Sequence, residues 1–167
     1  NYLFHATLVP NDPGYKDQYA LKKVNAEKAW NVTKGSKDVL IAIVDTGVDY
    51  THPDLKGKVV KGHDFVDNDD EPMDENMHGT HCAGIAAAST DNKIGIAGMA
   101  PNVKILAERV LDSNGSGTLA NVSKGITDAA DRGAKVISLS LGGSSASKTL
   151  KNAVNYAVKK GVTVIAA

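Results

Sequence analysis

The run Val39-Leu40-Ile41-Ala42-Ile43-Val44, closing on Asp45-Thr46-Gly47, limits the fold more than any other segment. An apolar stretch this short, without polar alternation, reads as a strand buried on both faces, and such strands belong to parallel sheets covered by helices. Parallel strands need crossover connections, and the chain supplies them. A strand is expected near 103–110, and Asn114-Gly115-Ser116-Gly117 leads from it into a helix with Leu119, Val122, Ile126, Ala129 and Ala130 on one face and Gly133 as its stop. A strand near 135–141 precedes a Gly/Ser loop and a helix with Leu150, Ala153, Val154, Ala157 and Val158 at helical spacing. Gly161 ends that helix before a strand at 162–167. The alternation predicts an α/β fold, a parallel sheet with helices on both faces, whose sites gather at the carboxyl ends of the strands. Asp45 lies at such an end.

Residues 1–24 mix polar residues, Pro and Gly without periodicity and are expected to form an extended arm on a single domain spanning 1–167. Asn25 is expected to cap a short helix through Trp30, ended by Gly35. With 42% hydrophobic residues in 167, the chain can bury a core. Nineteen basic and nineteen acidic residues cancel, so no general field draws the chain to nucleic acid or to an anionic membrane, and no apolar run is long enough to span one. Cys82 is the only cysteine, which excludes an internal disulfide. No signal peptide is visible, a pattern shared by cytosolic proteins and by mature secreted ones. The sequons at Asn31 and Asn121 matter only in a eukaryotic secretory pathway.

Two segments carry candidate chemistry. Asp45 is either a turn-forming aspartate after a strand or the carboxylate that orients a catalytic imidazole. His78 opens His-Gly-Thr-His-Cys-Ala-Gly-Ile-Ala-Ala-Ala, whose small residues let a helix pack closely on a sheet with His78 at its exposed mouth. A serine hydroxyl needs such an imidazole to take its proton, and the imidazole needs a carboxylate. His81 is read as structural. The spacing of His78 and His81, with no Glu between them, argues against zinc, and the apolar context of Cys82 argues against a reactive thiol. In Asp64-Phe65-Val66-Asp67-Asn68-Asp69-Asp70-Glu71 the carboxylates are spaced either for Ca²⁺ or as a solvated acidic loop; without the glycine of an EF-hand it is not that motif. Ser89-Thr90-Asp91-Asn92-Lys93 reads on its own as a plain polar loop.

The segments Asp45-Thr46-Gly47, His78-Gly79-Thr80-His81-Cys82-Ala83-Gly84, Gly95-Ile96-Ala97-Gly98 and Lys135 through Gly143 resemble the subtilisin-like serine proteases over nearly the whole chain. The resemblance implies a three-layer peptidase fold, with Asp45 and His78 as two triad members. It also implies an oxyanion Asn and a nucleophilic Ser that no part of the 167 residues matches, so the chain corresponds to the N-terminal part of the domain. Gly115-Ser116-Gly117 and Ser140-Leu141-Gly142 match the edges that hold an extended protein or peptide substrate. A strong calcium site is implied at Asp12, Asp54, Asn92 and the carbonyls of Ser89, Ile94 and Ile96. A second is implied at Asp64, Asp67 and Asp69 with the carbonyl of Glu71, where Met73 replaces a polar ligand. Further implications are a cysteine beneath the catalytic histidine with heavy-metal sensitivity, a propeptide, the C-terminal part of the domain as a partner, and secretion. Alternatives from other classes are a non-catalytic calcium- or peptide-binding fragment, a nucleotide-binding domain, and an aspartic protease. The nucleotide reading lacks a Gly-x-Gly-x-x-Gly or Walker loop, and the aspartic one lacks a second Asp-Thr-Gly.

Overall fold

A computed structural model describes residues 9–143 and 146–167; residues 1–8 of the arm, and Ser144 and Ser145 of the Gly/Ser loop, lie outside them. In chain order the elements are α1 (Tyr19–Lys23), α2 (Ala26–Trp30), β1 (Leu40–Asp45), β2 (Val59–Asp64), α3 (His78–Ala87), β3 (Lys104–Arg109), α4 (Leu119–Asp131), β4 (Val136–Leu139), α5 (Lys148–Lys159) and β5 (Thr163–Ala166). The strands form one parallel sheet in the order β2-β3-β1-β4-β5.

The apolar run becomes the central strand β1, and its alternation explains why no position could be polar. Ala42 and Val44 face a core shared with Leu106, Ile126, Ile137 and Ala157 on the α4 and α5 side. Ile43 faces the opposite core, with Val48, Leu55, Ala83 and Ile105 on the α3 side. Helices therefore cover both faces, as expected. Helices α4 and α5 end before Gly133 and Gly161 and begin on Thr118 and Ser147, whose hydroxyls accept from Asn121 N and Leu150 N. Leu119 and Val158, placed by periodicity on buried faces, are exposed at the helix ends.

Three expectations need correction. Residues 9–24 are not extended: a 3₁₀ turn over Pro13–Asp17 and α1 fold them back. With α2 and Ala97 they enclose a separate small core of Tyr15, Leu21, Ala26 and Trp30. Five-residue helices are too short for periodicity to show. Asn25 precedes α2, but it takes a left-handed conformation (φ 58°) and its side chain caps nothing; α2 stops at Trp30 on Asn31, well short of Gly35. Strand β2 was not expected, because its buried positions are Gly62 and Asp64 rather than apolar residues.

Candidate active site

Strand β1 has β3 on one side and β4 on the other, so the chain's crossovers diverge at its carboxyl end, where α/β folds open a crevice. Asp45 closes the strand there and is fully buried. Its Oδ1 accepts from Thr46 N (2.7 Å) and lies 2.7 Å from His78 Nδ1, while Oδ2 has no partner among the described residues. The His78 side chain is 47% exposed. An imidazole whose Nδ1–H faces a buried carboxylate presents its Nε2 lone pair outward, the tautomer a general base needs.

Helix α3 brings His78 in because its first turn can touch the end of β1. A Cβ on Gly79 would stand 2.1 Å from the Gly47 carbonyl, so only glycine permits this approach. Cys82 lies one turn on, and among the described residues Asp45, His78 and Cys82 form the one set of three His, Cys, Asp or Glu side chains whose ligand atoms converge within 4.8 Å. Burial pushes the Cys82 thiol up; a hydrogen bond with Ser140 works against this, and the Asp45 and Asp74 charges add to it. The group therefore stays a thiol, a poor nucleophile. His81 is exposed on the outer side of α3, so the structural role read from the sequence does not match its placement.

A cleft of about 500 Å³ joins His78 and Thr46 to Gly115, Ser116, Gly117, Ser140, Leu141 and Gly142. Both edges matched to substrate binding thus flank the histidine. A larger cleft of about 690 Å³ runs along the outer side of α3 past His81, but it includes neither Asp45 nor His78.

The two acidic regions differ. Asp12 and Asp54 are buried, and neither makes an ion pair among the described residues. The loop 89–96 wraps them. Asp91 N (2.8 Å) and Asn92 N (3.2 Å) donate to Asp12, while Asn92 Nδ2 (2.7 Å) and Ile96 N (3.0 Å) donate to Asp54. Positive φ at Asp91, Lys93 and Gly95 gives the loop its winding course. The carbonyls of Ser89, Ile94 and Ile96 accept no hydrogen bond among the described residues. Among the described residues, two buried carboxylates without an ion pair, the Asn92 amide, whose Oδ1 accepts from Ile94 N (3.0 Å), and three carbonyls free of hydrogen bonds form a hard-oxygen set that fits Ca²⁺.

In the other region the cation is already internal. The guanidinium of buried Arg109 reaches Asp64 (2.7 Å), Asp67 (2.6 Å) and Glu75 (2.7 Å). The Asp64 Oδ1 accepts from Val66 N and Asp67 N, Asp69 Oδ1 accepts from Glu71 N, and the Glu71 carbonyl accepts from Met73 N. The Glu71 carboxylate pairs with Lys61 and Tyr50. Of the set expected at Asp64, Asp67, Asp69 and the Glu71 carbonyl, Asp64 and Asp67 thus already meet the positive charge of Arg109, unlike Asp12 and Asp54. Neither Arg109 nor Asp74 stands out in the sequence: the partners of Arg109 lie 34 to 45 residues away, and Asp74 joins near neighbours to Thr46, 28 residues before it.

A parallel α/β sheet with an Asp–His pair at the end of its central strand holds an imidazole in position to activate a third, nucleophilic group. The comparisons make the class specific: residues 36–167 match the subtilase family, and the chain belongs to it. It is 61% identical over all of its length to a thermophilic serine proteinase of Bacillus sp. (strain AK1), covering 42% of that protein. It is 60% identical over 95% of its length to thermitase of Thermoactinomyces vulgaris, covering 57% of it. The crystal structure of a cold adapted subtilisin-like serine proteinase superposes with a TM-score of 0.72 at 38% identity, over 80% of this chain and 47% of the other. The chain thus spans about half the length of these relatives.

Proposed function

We propose that these residues form the Asp- and His-bearing half of a serine endopeptidase that hydrolyses internal peptide bonds of proteins, the Ser and the oxyanion Asn coming from sequence beyond Ala167. The observation that carries this reading is the 2.7 Å contact of His78 Nδ1 with a buried Asp45 at the head of a cleft flanked by two glycine-containing edges. His78 takes the serine proton as the hydroxyl attacks the peptide carbonyl, then returns it to the leaving amine. Asp45 holds the tautomer and stabilises the imidazolium. Segments 115–117 and 140–142 hold the substrate as an added strand through main-chain hydrogen bonds.

Asp12, Asp54, Asn92 and the carbonyls of Ser89, Ile94 and Ile96 are the residues that would hold Ca²⁺. When bound, the ion supplies divalent charge that neutralises the two buried carboxylates and ties the N-terminal segment to the loop. Secretion accords with this, since extracellular modules bind calcium at about 10⁻⁴–10⁻³ M and the single cysteine leaves metal as the available staple. A propeptide remains part of the proposal on the strength of the family alone.

Two measurements test the function. Residues 1–167 alone are expected not to turn over a peptide, and joining them to the remainder of the domain restores turnover and labelling by a serine-directed reagent. In that complete protein His78→Ala lowers turnover by about 10²- to 10⁴-fold, and His81→Ala leaves it nearly unchanged. A folded complete protein that binds peptide but never reacts with the reagent would establish a non-catalytic binding module instead.

A further inference from the structure

Helix α3 has to deliver His78 to Asp45, yet its N-cap residue is Met77, which sits at φ +94° and offers no side-chain cap. The N–H groups of a first helical turn have no intrahelical partner. Here three of them are taken by side chains from outside the helix: His78 N donates to Asn76 Oδ1 (3.3 Å), Gly79 N to Thr46 Oγ1 (2.9 Å) and Thr80 N to Asp74 Oδ2 (2.8 Å). Two of the three lead to one carboxylate, because the Thr46 hydroxyl that accepts from Gly79 donates in turn to Asp74 Oδ1 (2.9 Å).

Asp74 receives five hydrogen bonds in all. Oδ1 accepts from Thr46 Oγ1, Asn76 N (2.9 Å) and Met77 N (2.9 Å); Oδ2 accepts from Thr80 N and Thr80 Oγ1 (2.5 Å). The Thr80 hydroxyl also accepts from Asp49 N (2.9 Å), tying the segment after β1 into the same knot. Burial would raise the Asp74 carboxyl, but the bonds from Thr80, Asn76 and Met77 outweigh it and hold the group below its usual range. Of the partners, Thr46 is peptide-bonded to Asp45, and Met77 is peptide-bonded to His78. The strained Met77 conformation persists only where its surroundings over-determine it, and the bond from Met77 N to Asp74 is one such restraint.

We propose that Asp74 is the positioning residue of the Asp45–His78 pair: its carboxylate clasps the end of β1 and the first turn of α3 together and thereby sets the imidazole against Asp45. The inference rests on the peptidase reading of that pair. A plain helix cap would stabilise α3 alone; this one bridges the two elements that carry the reacting groups. Asparagine has nearly the same shape but cannot replace it, since both oxygens receive backbone N–H donors and an amide –NH₂ must face at least one of them.

The test uses the complete protease, with turnover normalised to the number of reactive serines so that loss of folded enzyme does not count. Asp74→Asn lowers kcat per site about a hundredfold, the scale of a small misplacement of reacting groups, while KM moves by less than about threefold. It also shifts or broadens the downfield Nδ1 proton resonance of His78. Thr46→Val, which removes the bridging hydroxyl, shows the same pattern at about tenfold, and Thr46→Ser restores both readouts. A folded Asp74→Asn enzyme with kcat within about twofold of the parent overturns the proposal. Where Asp74→Asn does not fold, Thr46→Val decides, and an unchanged kcat and resonance overturn it. Should the parent neither hydrolyse peptides nor react with a serine-directed reagent, the peptidase reading fails. The clasp is then judged by the His78 resonance alone, and no change in Thr46→Val rejects it.

Discussion

Loop 64–71 carries five carboxylates and loop 89–96 only one, yet it is the poorer loop that surrounds buried acids without an ion pair among the described residues. In 64–71 the acids meet a buried guanidinium, Arg109, which takes oxygens of Asp64 and Asp67 that a metal would need. In 89–96 two acids from elsewhere, Asp12 and Asp54, are buried by a loop whose Ser89, Ile94 and Ile96 carbonyls accept no hydrogen bond among the described residues. Density of charge along the sequence says little; what matters is whether the fold has already placed a positive charge inside. Another buried acid, Glu108, shows the remaining solution. Glu108 is fully buried, accepts from His63 N (3.0 Å), and has Arg132 at 3.7 Å from its other oxygen, with the Asp128 carboxyl also beside it. Burial pushes its pKa to about 8, so it is held as a neutral acid. A carboxylate inside this protein is thus paired, left for a metal, or protonated.

In the complete protein, single substitutions separate the three ways in which these buried acids are held. Arg109→Met should have the largest effect, about 3–5 kcal/mol in denaturant unfolding, because it strands the buried Asp64. The variant should also gain a calcium dependence that the parent lacks at this loop. A loss below about 1 kcal/mol would mean that Arg109 is not the internal cation of the cluster. Asp54→Ala comes next. It should abolish the calcium-dependent stabilisation, about 2.7 kcal/mol at a hundredfold excess of ion over its dissociation constant, and a calcium effect that survives would place the ion elsewhere.

Glu108 is read by pH. Its folded pKa, about 8, lies above the ordinary 4.5, so the native state holds the extra proton between those values. Its contribution is complete below about pH 4.5 and is lost as pH rises through 8. Stability should fall by on the order of 2 kcal/mol between about pH 6 and 8, and Glu108→Gln should flatten that slope. Equal slopes in the two proteins would show that Glu108 is ionised throughout. Asp69→Ala should do least, within about 0.5 kcal/mol and without altering the calcium effect, since its exposed side chain only accepts from Glu71 N. A larger calcium loss there than in Asp54→Ala would reverse the ranking of the two regions.

What could be read in the sequence was what repeats or is contiguous. Strands β1, β4 and β5 announced themselves as largely apolar runs and β3 by its apolar centre Ile105-Leu106-Ala107, with α4 and α5 as periodic faces closed by glycine. Strand β2 did not, because Gly62 is buried under Glu108, whose Oε1 would lie 2.3 Å from a Cβ there, and Asp64 is buried against Arg109. Neither position looks like a core residue in a linear string. Asp45 and His78 stood out through their motifs, 33 residues apart, and the structure brings them together. Asp74 carries no motif: its importance comes from partners, Thr46 and Thr80, on either side of it in the chain.

The small core of Tyr15, Leu21, Ala26, Trp30 and Ala97 has a kinetic consequence. Many of the bonds that hold the N-terminal segment end on one stretch: Gly14 N on Gly95, Gln18 on Ala97, Trp30 on Met99, and Asp12 on Asp91 and Asn92. Segment and loop can then open as one unit without unfolding the sheet, and amides of residues 14–30 and 89–99 should exchange with solvent at a common rate. The ion that fits between Asp12 and Asp54 would slow that shared opening, so calcium would act first as a brake on local breathing and only through it on the whole domain.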